Sequence, residues 1–134
     1  MEYGTGIRLH TGFDDAVARV RDALKDQGFG VLTEIDVQAT LKEKLGEDME
    51  SYLILGACNP PLAHRALGVD RRIGLLLPCN VVVRADDDTT IVEALDPQIM
   101  VGLTGRPELA PVADEAATRL TAALDSLGGD ALAK

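Results

Sequence analysis

Tryptophan is absent from this 134-residue chain, and phenylalanine, tyrosine, histidine and cysteine occur only twice each. The apolar share of 46% therefore comes almost wholly from Ala, Val, Leu and Ile, which specifies an aliphatic core. No window approaches the roughly eighteen apolar residues of a membrane-spanning helix, and Met1-Glu2-Tyr3-Gly4-Thr5-Gly6 has neither the basic nor the apolar region of a signal sequence. A soluble, cytoplasmic protein is expected. In that reducing compartment two cysteines read as free, metal-bound or transiently redox-active rather than as a structural disulfide. A basic run is missing as well. The formal charge of -9 repels phosphate backbones and anionic headgroups, and the nearest basic cluster, Arg65 with Arg71 and Arg72, is interrupted by Asp70. Nucleic acid and membrane are therefore not expected as partners. There is also no Gly-x-Ser-x-Gly, phosphate loop, dinucleotide fingerprint or Cys-x-x-Cys pair, which removes most support for serine-hydrolase and nucleotide-dependent readings.

What is present is the punctuation of one domain over residues 1–134, with a core from about 5 to 127 and a loose tail at 128–134. A short strand at Gly6–His10 precedes an amphipathic helix over 13–27, in which Phe13, Ala16, Val17, Val20, Ala23 and Leu24 recur at helical spacing. Thr11 with Asp14 forms a capping pattern, and Gly28 suits the left-handed end. Phe29–Ile35 reads as a strand, and Asp36 caps a short helix ending at Gly46. Tyr52–Cys58 is a compact apolar strand, followed by a helix that begins at Asn59-Pro60 and closes at Gly68. Ile73–Arg84 is expected to be a long strand broken by Pro78-Cys79-Asn80, with Thr89–Leu95 returning as the second arm of a hairpin. Residues 98–106 have no regular pattern. From Pro107 or Pro111 a last helix carries Leu109, Val112, Ala116, Leu120, Ala123, Leu124 and Leu127 on one stripe, ending at Gly128-Gly129. The order predicts an α+β domain whose two long helices cover one face of a sheet of about five strands, with two short helices in the connections.

Both cysteines stand in matching dipeptides, Cys58-Asn59 and Cys79-Asn80, each beside a proline and a strand end or break. Cys58 has the stronger chemical case, because Asn59 and Pro60 start a helix whose unpaired amides and dipole favour a thiolate. If the strands holding Cys58 and Cys79 were parallel neighbours, both thiols would lie at one level; an antiparallel arrangement would separate them. Two thiolates alone rarely complete a zinc or copper site, and His64, His10 and Glu93 are the further donor types, with His64 the leading third ligand. Glu93 interrupts an apolar strand and shares a face with Cys79 if Ala85 and Thr89 pair across the turn; a slip of one residue reverses that face.

The segments Gly28-Phe29-Gly30-Val31-Leu32, Glu34-Ile35-Asp36-Val37, Ala57-Cys58-Asn59-Pro60 with Ala63, Leu77-Pro78-Cys79-Asn80-Val81 and Asp96-Pro97 together resemble the prokaryotic domain-of-unknown-function family 302. The resemblance runs from about Phe13 to Leu127. It implies a compact α+β domain of the TATA-binding-protein-like type, a curved, mainly antiparallel sheet backed by helices, commonly as a homodimer. It implies no activity. The leading functional expectation is a ligand- or metal-binding or thiol-redox module at Cys58, Asn59, Cys79, Asn80 and Glu93, with zinc or copper at Cys58, Cys79 and His64. Three other readings are an enzyme with Cys58 as nucleophile, a small ligand held between sheet and helix, and a homodimer with core cysteines whose interface includes Ile99, Met100 and Val101.

Overall fold

The computed structural model describes residues 2–132 and contains one antiparallel sheet of six strands with helices packed on one face. In chain order, β1 (Gly4–Leu9) leads to α1 (Phe13–Asp26), then β2 (Gly30–Asp36), α2 (Val37–Leu45), β3 (Tyr52–Cys58) and α3 (Pro60–Val69). A tight helical turn at Arg71–Leu76 precedes β4 (Cys79–Asp86) and β5 (Thr89–Leu95). The chain closes with α4 (Ile99–Thr104), a turn at Pro107–Leu109, α5 (Ala110–Ser126) and the two-residue β6 (Asp130–Ala131). The strands lie in the order β2-β3-β4-β5-β1-β6. The expected α+β class holds, with a sixth strand at the edge. Two residues of the expected loose tail thus pair with β1, while residues 133 and 134, like Met1, lie outside the described residues.

Period-two alternation explains how the sheet buries one face. Leu53, Leu55 and Ala57 of β3, Cys79, Val81 and Val83 of β4, and Val92 and Ala94 of β5 are buried towards the long helices. Facing them, α1 contributes Ala16, Val20, Ala23 and Leu24, and α5 contributes Leu120, Ala123 and Leu124. A second apolar cluster, including Leu62, Ala66, Ile73, Met100 and Leu109, joins α3 and α4 to the first half of α5. The opposite sheet face is partly open and carries the ion pairs Arg8–Asp86 at 2.7 Å and Arg84–Glu93 at 3.1 Å.

Several local expectations are met by the chemistry that suggested them. Asp36 Oδ1 accepts the Ala39 amide at 2.9 Å to start α2, and Gly46 ends it with φ of 68°. Others are corrected. Gly12, not Thr11, stands at the N-cap of α1, without a side-chain cap, and Thr11 Oγ1 is buried with no hydrogen-bond partner among the described residues. The long strand expected from Ile73 does not form, because Ile73 belongs to the 71–76 turn that Asp70 Oδ1 caps through the Arg72 amide, and β4 begins only at Cys79. Residues 98–106 are ordered. Asp96 Oδ1 accepts the Gln98 amide at 2.9 Å, α4 follows, and Gly105 ends it with φ of 66°. Met100, expected at a dimer interface, is only 3% exposed within the chain's own core.

Leu55, fully buried in the middle of β3, should lose about 2–5 kcal/mol of stability on replacement by alanine. Leu32→Ala, at a position 68% exposed on edge strand β2, should stay within about 0.5 kcal/mol. Denaturant midpoints of the two variants check this, and equal losses would show that the apolar layer lies elsewhere.

Candidate functional site

β3 ends at Cys58 because the next three residues are built to start a helix. Asn59 is in extended conformation, its Oδ1 accepts the Leu62 amide at 3.2 Å, and its carbonyl accepts the Ala63 amide at 2.9 Å. Pro60 and Pro61 occupy first-turn positions where no amide donor is needed. The Asn59 amide group rests on the turn after α1, where a Cβ at Gly28 would stand 3.0 Å from Nδ2, and Gly28 also has φ of 85°. Glycine there is required twice over, by backbone conformation and by close approach.

After α3 and the 71–76 turn the chain re-enters the sheet at Cys79, and β4 pairs antiparallel to β3 with Ala57 opposite Cys79. Pro78 closes over β3 at Gly56, where a Cβ would meet Pro78 Cγ at 2.8 Å and also collide with Thr33 Oγ1. The two cysteines thus bracket one connection, and both border one cavity of about 30 Å³ at that end of the sheet. The surrounding wall is apolar, from residues such as Phe29, Leu62, Met100 and Ala116. The polar residue in it is Asn59, whose oxygen is committed to the helix cap. About 30 Å³ holds one or two water-sized groups and no organic molecule of ordinary size.

Both thiols are free; Cys79 is buried and Cys58 half-buried. Burial first, and then the negative charge that Cys58 would carry, push the Cys79 thiol up to about 11. Cys79 is therefore protonated at neutral pH.

The structure separates the expected site residues into two groups. Cys58, Asn59 and Cys79 come together at the cavity. Asn80 and Glu93 instead line a shallow groove of about 220 Å³ on the opposite sheet face, with Tyr3, Tyr52 and Val82. The cause is the hairpin register. Asp86 pairs with Thr89 across a tighter turn in which Asp87 takes φ of 52°, so Glu93 stands opposite Val82 and pairs with Arg84 rather than sharing the Cys79 face. His64 is exposed on α3 and does not border the cavity; exposed His10 meets Asp130 Oδ2 at 2.7 Å. Among the described residues no group of three or more His, Cys, Asp or Glu stands together as a metal cluster, so the set Cys58, Cys79 and His64 is not assembled. The residue that sequence reasoning missed is Met100. The local signals that could have placed it are Asp96, whose side chain accepts the Gln98 amide ahead of α4, and Gly105, which ends α4 in the left-handed conformation.

The raised Cys79 thiol makes a prediction of defined sign. Between about 9 and 11 the unfolded chain has lost the Cys79 proton while the folded chain keeps it, so stability falls as pH rises through that window. Cys79→Ala should remove this part of the alkaline loss. Unfolding midpoints at pH 8.5 and 10.5 for both proteins check it, and an identical alkaline decline would contradict the assignment.

Comparison with known proteins agrees with this architecture. The family model described as Domain of unknown function DUF302 matches residues 6–127. The crystal structure of an uncharacterized conserved DUF302 protein from Bacillus stearothermophilus is similar over 93% of this chain and 98% of that chain, with 34% identity and a TM-score of 0.86. A search of the curated proteins finds no match. With nearly the whole chain covered by the family model, the protein belongs to the DUF302 family.

Proposed function

We propose that the protein is a small binding module in which Cys58 and Cys79 act together as one pair of sulfur donors. The observation that supports this reading is that the chain's only two thiols, twenty-one positions apart, border the same apolar cavity. A core role explains Cys79, which is buried. It explains Cys58 less well, since that residue is only half-buried at the strand end. An enzymatic role for Cys58 finds little support, because the cavity wall includes no His, Asp or Glu to serve as general base. A bulky organic ligand is disfavoured by the volume. What suits the space is a single atom or small group held by sulfur.

A small trivalent arsenical, arsenite, tests the pairing directly. Its arsenic, as arsenous acid, forms one bond to each of two thiol sulfurs, and two of its hydroxyls leave as water with the two thiol protons. One arsenical per chain, protecting both cysteines from later alkylation, is the expected outcome. Cys58→Ser should weaken uptake by about a hundredfold or more, since a bridged second bond is effectively intramolecular. Recovery of Cys79 as a free thiol after treatment of the native protein would defeat the pairing.

A further inference from the structure

Five residues of this chain carry sulfur, and three of them, Cys58, Cys79 and Met100, border the one cavity of about 30 Å³. We infer that this cavity is a site for a soft monovalent metal ion of the cuprous class, held by the two cysteine sulfurs and the Met100 thioether. The inference deepens the reading of the cysteines as a pair and rests on it.

Met100 is held in place by its own segment. Its amide donates to the Pro97 carbonyl at 3.0 Å, its carbonyl accepts the Thr104 hydroxyl at 2.6 Å, and Gly105 turns the chain away. Methionine is often no more than flexible core filler. Here it shares a small wall with both thiols, and the oxygen of the polar side chain on that wall, Asn59 Oδ1, already accepts the Leu62 amide. The donor set is therefore soft throughout. Thiolate and thioether sulfur select cuprous copper, whereas calcium and magnesium need several oxygen ligands. Zinc prefers four tetrahedral ligands, commonly with nitrogen or further thiolates, and no imidazole or carboxylate borders the cavity to complete them. A monovalent soft ion is satisfied by two or three sulfurs.

Charge and space agree with that choice. Binding forms two sulfur–metal bonds to thiolates, releases the two thiol protons and adds one thioether contact, with no change of oxidation state. One cation with two thiolates leaves a single negative charge. That charge lies at the N-terminus of the ten-residue helix α3, where the helix dipole favours it. The cavity admits one ion and little else.

The test is an anaerobic titration of the full chain with cuprous ion against a colorimetric cuprous chelator, followed by X-ray absorption of the copper-loaded protein. One copper per chain, bound only by sulfur and with three sulfur neighbours, is expected. Met100→Leu, close in volume, should lower cuprous affinity about tenfold or more and leave two sulfur neighbours. Failure of the native protein to retain copper against the chelator, or nitrogen and oxygen neighbours at the metal, would overturn the inference even if Met100→Leu folded poorly. Arsenical bridging without copper retention would refute the metal and leave the pair standing; absence of both would refute the pair as well.

Discussion

A connection between antiparallel neighbours leaves one strand and re-enters the next at the same end of the sheet. In this protein β3 and β4 are such neighbours, with Ala57 opposite Cys79, and residues 59–78 form the connection. The last residue of β3 and the first of β4 are therefore brought together by topology, and those residues are the two cysteines. Everything at the site depends on that register. The Asn59 cap ends β3 on time, Gly56 lets Pro78 and Thr33 approach β3 closely, and Gly28 lets the Asn59 amide settle under the α1 turn. A shift of one residue in the pairing would send Cys79 to the open face and dissolve the pair.

Much of this was legible in the residues themselves. Helix starts at Asp36 and at Asn59-Pro60, the left-handed glycines 28 and 46, and the stripes of α1 and α5 all act through local chemistry, so local pattern revealed them. What escaped was decided by competition between signals. Ile73–Leu77 is apolar enough for a strand, but Asp70 captures the Arg72 amide and starts a tight turn, and Ile73 packs into the second core cluster instead. That shortening of β4 is also why antiparallel strands unite the cysteines rather than separate them. Glu93 changed face because the turn is shorter by a single residue, with Asp86 rather than Ala85 opposite Thr89 and Asp87 in a positive φ. Met100 belongs to a six-residue helix too short for periodicity to show.

The pocket links the fold's two apolar clusters, one under the sheet and one around α3, α4 and the first half of α5. Cys79 belongs to the first and Met100 to the second, with Cys58 at the rim between them. Burial that keeps Cys79 protonated in the resting state also guards it from adventitious oxidation, while Cys58 retains access to solvent. A thiol held protonated by burial, as Cys79 is, gives up its proton to a soft metal or arsenical only when the bond formed is strong enough to replace it. The same geometry explains why Asn80 and Glu93, alike in sequence setting to the cysteine motifs, stand apart on the opposite face.

The central claim, that two thiols from the two ends of one connection serve a single pocket, is tested most directly by sulfur anomalous diffraction from crystals of the reduced protein at long wavelength. The account predicts three sulfur peaks, from Cys58, Cys79 and Met100, grouped around one cavity between the end of the sheet and α3. A Cys58 peak on the open sheet face, turned away from Cys79, would contradict it.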